Sequence, residues 1–519
     1  MNKSKTNEGS IISSAFALTA STLIVKILGV VYKVPLARFL GEEGMGYFNS
    51  AYTVYTLFYI LCTAGVPKAV MIFISERTVS KEKIVSVAIK SFFVIGAVVT
   101  VIFALLSVPL SRLVGSSRAY STMLAISPSI LFIALSGVIR GYLSADMRFL
   151  DVAVSQIIEG ATKLVLGLLF ATIAIKSNCS VAIVSAFTML GVTLGAFSGL
   201  VYLVSVSKIN ILDNISKQIE YRESKSVRRQ IFHVSIPITV SAAIMSITNI
   251  IDLGMVMRRL EDVGYTETEA VSMYGNLTTL AMPIFNLALS VISPISIAFL
   301  PIFTKSYSRG DTPTLKSSIS SSLEFTALLS APIVFGTLVY AEDILSLLFG
   351  NIGISLGAFL LRLLIVGVIF MSLILIINSS LEAMGNVRVP VIAMLVGSIF
   401  KLIISYFLIG NSNYRVAGAP IGTVISYMAS LMVSLIIFVK RAGYFPPILR
   451  TNIPPYFCAF CSVMLSTLPN DIIKIYLPRN LAFLITLPIC ALIYVLLCFI
   501  FGIFSKKKIK EMSKYTKAC

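Results

Sequence analysis

Apolar runs long enough to cross a ~30 Å hydrocarbon layer recur about fourteen times along this chain, and no other feature constrains its fold as strongly. They fall at 10–36, 46–74, 84–108, 119–141, 150–175 and 180–206, then at 231–256, 271–303, 316–340, 356–380, 387–410 and 416–439, with 454–474 and 480–504 last. Composition agrees: 57% of residues are hydrophobic and 13% charged, with a mean hydropathy of +0.93. An average soluble chain carries roughly 25% charged residues, so a soluble protein this poor in charge could not cover its own surface. Soluble enzymes, secreted disulfide scaffolds and disordered tails are excluded. The expected fold class is an all-α integral membrane protein. The first run follows Lys3 and Lys5, lacks a small-residue cleavage signature and reads as a retained span.

The net charge of +19 fits the positive-inside bias and calls for no nucleic acid. Fourteen spans place both termini on one side. Gaps on that side, with the termini, hold about 23 Lys and Arg, whereas the opposite gaps hold about 7. Both termini are therefore expected to be cytoplasmic. The stretch 207–230, with Lys208, Lys217, Arg222, Lys225, Arg228 and Arg229, reads as a cytoplasmic linker. It separates an N-terminal six-helix lobe, 1–206, from a C-terminal one, 231–440. Two additional helices follow in 454–504, then a basic tail, 505–519, expected to lie on anionic headgroups.

The two lobes look like copies. Sliding the sequence by 238 places Tyr142-Leu143-Ser144-Ala145 on Ser380-Leu381-Glu382-Ala383 and Lys163-Leu164 on Lys401-Leu402. Two pseudo-symmetric lobes suit alternating access.

A charge at bilayer depth costs ~2.5–3.5 kcal/mol on insertion scales, so each one asks for a reason. The first span holds Lys26 and Lys33 and ends at Arg38, with no Asp or Glu between Ser10 and Gly41. Seven residues make almost two turns, so both lysines share a face, beside Gly29 and ahead of Pro35, where a helix break is expected. This pattern suggests a cavity for an anion, or lysine and arginine snorkelling to headgroups. Glu159 precedes Lys163 by four, the favourable orientation for a helical ion pair, with Gln156 on the same span. Arg140 and Lys68 sit near span ends, and Lys401 has Gly397 where a carboxylate would pair it. In 271–303, Asn286, Ser290 and Ser293 share a face between Pro283, Pro294 and Pro301, as in a kinked helix lining a wet cavity or in small-residue packing.

The single histidine, His233, and the lone pair Cys458 and Cys461 give no expectation of a metal or redox site. No G-x-x-x-x-G-K-[ST] occurs, so neither ATP hydrolysis nor a cofactor is expected.

The stretch from Lys26-Ile-Leu-Gly29 through Ala37-Arg38-Phe-Leu-Gly41-Glu-Glu-Gly44-Met-Gly46 resembles the first-span signature of the multidrug/oligosaccharidyl-lipid/polysaccharide exporters. Ala64-Gly65-Val66-Pro67, Ile139-Arg140-Gly141-Tyr142 and Tyr274-Gly275-Asn276-Leu277-Thr278 fit it too, nearest to its sporulation-linked oligosaccharide flippases. The resemblance implies fourteen helices in two lobes and export of a polyprenyl-diphosphate-linked sugar for cell-wall or spore-cortex synthesis; separately, a monomer is expected. It carries over membrane cations as substrate contacts. Lys26 matches one basic position of the lipid II flippases, Tyr32 replaces their central arginine, and a further arginine falls near Phe58 and Tyr59. The candidate substrate-binding set is Lys26, Lys33, Arg38, Lys68, Arg140, Glu159, Lys163 and Asn286. Two other readings stay open. One is a drug or cation antiporter, which would couple through a carboxylate such as Glu159. The other is a membrane glycosyltransferase or polymerase using the charges of 257–270.

Overall fold

The computed structural model describes residues 3–76, 80–216, 221–350, 353–386 and 388–503. The side chains of residues 3–28, Lys26 among them, and of several others up to residue 245 lie outside that description, as does the basic tail. Among the described residues all regular structure is helical. Eleven helical stretches are long and apolar enough to cross a membrane, or twelve if Ser117–Ile126 and Ser129–Ala145, bent by 41°, form one span. The two expected spans outside that count, 10–36 and 231–256, run through undescribed side chains.

Contacts gather the chain into two units. Unit 1 comprises Met1–Glu261 and Tyr265–Gly275. Its helices are α1 (Lys3–Thr63), α2 (Val66–Glu76), α3 (Lys81–Leu113), α4 (Tyr120–Ile126), α5 (Ser129–Ala145), α6 (Phe149–Lys176), α7 (Val181–Ser207), α8 (Ile211–Ser216), α9 (Tyr221–Asp262) and α10 (Glu267–Asn276). The break in α1 comes at Gly41, whose φ of 65° and ψ of −170° are open to glycine, and not at Pro35, which stays inside the helix. A proline removes one hydrogen bond, whereas a positive φ redirects the chain.

Helix α9 begins ten residues before the apolar run it carries, so the expected linker is largely helical. Its packing is with unit 1: the ring of Phe232 lies 5.8 Å from that of Phe92, and Arg258 donates to the Leu113 carbonyl at 3.1 Å. Helix α10 opens with a reciprocal cap. The Thr266 amide donates to Glu269 at 2.9 Å and the Glu269 amide to the Thr266 hydroxyl at 3.4 Å.

Helices α6 and α7 touch backbone to backbone. Gly191, Gly195 and Gly199 recur every fourth residue of α7 and face Gly167, the Glu159 carbonyl and the Ser155 carbonyl of α6. A stripe without side chains lets two apolar helices approach where lipid offers no hydrophobic driving force between them.

Unit 2 comprises Asp262–Gly264 and Asn276–Cys519. It begins with a π-helical turn, Leu277–Ala281, and continues as α11 (Met282–Ser308), α12 (Thr312–Phe349), α13 (Ile354–Ile365), α14 (Gly367–Ala383), α15 (Val389–Ile409), α16 (Gly418–Ala442), α17 (Ile448–Tyr476) and α18 (Arg479–Ile500). Pro294 and Pro301 lie inside α11 without interrupting it. Asp311 caps α12 by accepting from the Thr314 amide at 3.0 Å, which holds its carboxyl below the usual range. Gly418, Gly422, Ser426, Ser430 and Ser434 form the stripe of α16. Gly418 and Gly422 meet Ile409 and Ser405 of α15, while Ser426 and Ser430 receive Gly397.

The register of 238 reappears in the turns. After α5, the amides of Asp146, Met147 and Arg148 donate to the carbonyls of Tyr142, Ser144 and Leu143. After α14, those of Met384, Gly385 and Asn386 donate to Ser380, Glu382 and Leu381, each 238 residues further on. Met147 and Gly385, again equivalent, take positive φ of 59° and 81°.

Candidate functional site: a charged, tyrosine-lined chamber

A chamber of about 320 Å³ lies inside unit 1, walled by α1, α5, α6 and α7. Helix α1 supplies Gly29 and Tyr32 ahead of its break and Tyr52, Tyr55 and Tyr59 after it. The last three are spaced by three and four residues, so one face carries all of them. Their rings continue a ladder from Tyr32 through Phe48, with successive centroids 5.8–6.2 Å apart. Arg140 comes from α5, and Gln156, Glu159, Gly160 and Lys163 from α6.

The charges divide unequally. The Arg140 guanidinium donates to Glu159 Oε2 at 2.8 Å and through Nε to Ser155 Oγ at 3.3 Å. The side chains are 12% and 29% exposed, so this pair is largely withdrawn from solvent. The Lys163 ammonium sits over two rings instead, 5.2 Å from the centroid of Tyr32 and 5.1 Å from that of Tyr52. Aromatic faces hold a cation without neutralising it. Among the described residues the lining thus carries two cations and one carboxylate. Tyr32 is 2% exposed and its hydroxyl is buried without a hydrogen-bond partner. Its ring lies against Gly167, where a Cβ would come within 2.7 Å of the hydroxyl oxygen.

Of the sequence-derived candidates, Arg140, Glu159 and Lys163 meet in this chamber. Glu159 pairs with Arg140 of the preceding helix, whereas the four-residue spacing favoured Lys163. Lys33 is half-buried on α1, while Arg38 and Lys68 are exposed and outside the lining. Lys26 has no described side chain. Asn286 belongs to unit 2, where it is exposed and its carbonyl accepts from Ser290 at 2.8 Å. The tyrosine wall was missed as a site, although the spacing of Tyr52, Tyr55 and Tyr59 was open to inspection.

Unit 2 holds a cavity of about 290 Å³ between α12 and α18, lined by Pro332, Gly336, Tyr340, Phe483, Leu487 and Tyr494 among others. Both tyrosine hydroxyls are occupied: Tyr340 shares a hydrogen bond with Ser466 at 2.8 Å, and Tyr494 donates to the Leu328 carbonyl at 2.9 Å. Charges collect at the end of α12. Asp343 is bound by Arg479 and, at 3.4 Å, by Lys474; Glu342 is bound by Arg362 at 3.3 Å and Arg479 at 3.1 Å. Among the described residues no group of three or more His, Cys, Asp or Glu is placed to hold a metal. Cys458 and Cys461 on α17 are both free.

Comparison with known proteins bears on this geometry. A family model described as "Polysaccharide biosynthesis protein" matches residues 11–307, and one described as "MatE" matches 237–407. Stage V sporulation protein B of Bacillus subtilis is 22% identical over 510 residues, covering 95% of this chain and 96% of its own. Lipid II flippase MurJ of the same organism is 24% identical, covering 84% and 83%. A solved structure of lipid II flippase MurJ in an inward closed conformation superposes with a TM-score of 0.72 at 17% identity, over 93% of this chain and 98% of that one. An inward-facing MATE family transporter reaches 0.63 at 14% identity, over 81% and 94%. The fold is that of these transporters, and the chain is a multi-pass protein of the cell membrane.

Proposed function

Since the chain belongs to the polysaccharide biosynthesis protein family, we propose that it is a flippase moving a polyprenyl-diphosphate-linked saccharide across the cytoplasmic membrane by alternating access. The observation that carries this reading is the chamber's surplus of positive charge at membrane depth. A cation buried there is costly unless an anion arrives to share the site. The head group of a lipid-linked sugar is such an anion, and its polyprenyl tail stays in lipid. With cytoplasmic termini and lobes at 1–206 and 231–440, a cytoplasm-negative potential drives the anion outward by about 2.3 kcal/mol per charge per 100 mV. No bond is made or broken, so no residue is assigned a catalytic role. The similarity to a sporulation protein and a lipid II flippase favours a peptidoglycan precursor as cargo. Cation antiport is disfavoured because Glu159, the chamber's carboxylate, is engaged by Arg140.

The test is translocation of a lipid-linked precursor in vesicles containing the purified protein. Wild type is expected to expose the head group faster than protein-free vesicles, and the Lys26→Ala, Lys33→Ala double variant at least tenfold more slowly than wild type. A wild-type rate equal to the protein-free rate defeats the reading. Undiminished transport by the variant removes those two lysines from it.

A further inference from the structure

Glu159 has two cations to choose between, and its pairing with the one it holds is incomplete. Arg140 meets it end-on: Nη2 donates to Oε2 at 2.8 Å, while Nε turns aside to Ser155 Oγ at 3.3 Å. Among the described residues neither Nη1 of the guanidinium nor Oε1 of the carboxylate makes a hydrogen bond. Both side chains line the chamber. A guanidinium binds most strongly when two parallel N–H groups meet two oxygens, and a phosphate offers that geometry as readily as a carboxylate. An anion entering the chamber can therefore engage Arg140 better than Glu159 does.

The second cation is Lys163, four residues further along α6 and on the same face as Glu159. Its ammonium rests over the rings of Tyr32 and Tyr52 and forms no ion pair among the described residues. Ring faces hold the ammonium and leave its charge available. Once an anion takes Arg140, Glu159 becomes a stranded charge in a largely closed space, which is strongly unfavourable unless another cation receives it. Lys163 stands at the spacing that does so. Every group in this exchange is on α5 or α6, so it does not depend on how many cations α1 contributes.

Resting on the flippase reading, we propose that Glu159 is an internal counter-ion that competes with the cargo for Arg140. The diphosphate takes the guanidinium, the displaced carboxylate turns to Lys163, and its return to Arg140 loosens the cargo once the site faces outward. Glu159 does not touch the cargo. It is a positioning residue that weakens a grip which would otherwise outlast the transport cycle, since a carrier must bind well enough to load and loosely enough to unload. The trade of partners leaves no charge unpaired at either stage.

The experiment uses the full chain in lipid nanodiscs, with inorganic pyrophosphate as the calorimetric probe, and the same variants in vesicles containing lipid-linked precursor. Glu159→Gln removes the competitor. It should tighten pyrophosphate binding at least about tenfold, the lower end for one hydrogen bond to a charged group. It should also lower both the maximal translocation rate and the half-saturating precursor concentration, whereas loss of a merely structural carboxylate would weaken binding. Glu159→Asp, one methylene shorter, holds Arg140 less well and should tighten binding by an intermediate factor; it carries the test if the glutamine variant does not fold. In an Arg140→Gln background the Glu159→Gln substitution should tighten binding by less than about threefold, because the contested donor is gone. A tightening of full size there overturns the exchange and reduces Glu159 to simple charge repulsion. Unchanged or weaker binding by folded Glu159→Gln overturns it too, as does failure of both wild type and variant to bind pyrophosphate. Wild-type translocation alongside any of those results leaves the flippase reading standing. Tightened binding in a protein whose wild type translocates nothing removes the flippase reading and leaves an anion site with its own competitor.

Discussion

The chamber of unit 1 and the cavity of unit 2 are of similar size, about 320 and 290 Å³, and they treat buried polar groups in opposite ways. In unit 2 the Tyr340 and Tyr494 hydroxyls are bonded within the protein, and the charges sit apart at the end of α12. In unit 1 three charged groups line the space itself, and the Tyr32 hydroxyl is left without a partner. A structural interior satisfies its polar atoms, whereas a receiving one leaves some unsatisfied until a ligand comes. On the proposed reading, the contrast is that of a receiving site against a structural one.

The sharpest way to break this comparison is to remove one partner from each ion pair. Arg140→Ala strands the Glu159 carboxylate in a largely closed space and should cost about 3 kcal/mol of stability, recovered when Glu159→Gln is added. Asp343→Ala should cost less, about 1–2 kcal/mol, because Arg479 keeps Glu342 as a partner when Asp343 is gone, whereas Glu159 loses the cation paired with it. Unfolding midpoints in detergent decide the order, and the reverse order would remove the distinction between the two interiors.

The next largest effect concerns the helix seams. A Cβ at Gly191 would lie 2.4 Å from the Gly167 backbone, which cannot step aside, so Gly191→Ala should cost about 2 kcal/mol. At Gly422 the nearest obstacle is the Ser405 hydroxyl at 2.1 Å, which can rotate away, so Gly422→Ala should cost less than about 1 kcal/mol. The same midpoints measure both.

The smallest effect is the most specific. Tyr340→Phe deletes a made hydrogen bond and should lose about 1 kcal/mol, whereas Tyr32→Phe deletes an unmade one and should leave the ligand-free protein unchanged or slightly stabler. Equal losses at both positions would show that the Tyr32 hydroxyl is already satisfied.

The membrane architecture was readable because lipid imposes a length and polarity rule that hydropathy measures directly. Arg140, Glu159 and Lys163 were readable for the same reason, as charges inside apolar runs. Their arrangement was not. Spacing along one helix favoured Glu159 with Lys163, but the hairpin of α5 and α6 delivers a guanidinium from 19 residues away, and nothing in local spacing encodes that approach. Glycine at 41 rather than proline at 35 divides α1, because a membrane helix tolerates the missing bond of a proline more readily than a positive φ. Helix α9 outruns its apolar segment since hydropathy senses only the portion in lipid, while Arg and Lys are good helix formers in water. Tyrosines in a membrane sequence read as ordinary packing, and only the fold of α1 on itself brings Tyr32 to the others.

The ladder of rings along α1 has a practical outcome. The chain contains no tryptophan, so excitation of its tyrosines is not drained into an indole. The emission of Tyr32, Tyr52, Tyr55 and Tyr59, isolated by difference against their phenylalanine replacements, is therefore an optical gauge built into the chamber wall. Under the proposed function it can follow a cargo's entry and departure in real time without any attached dye.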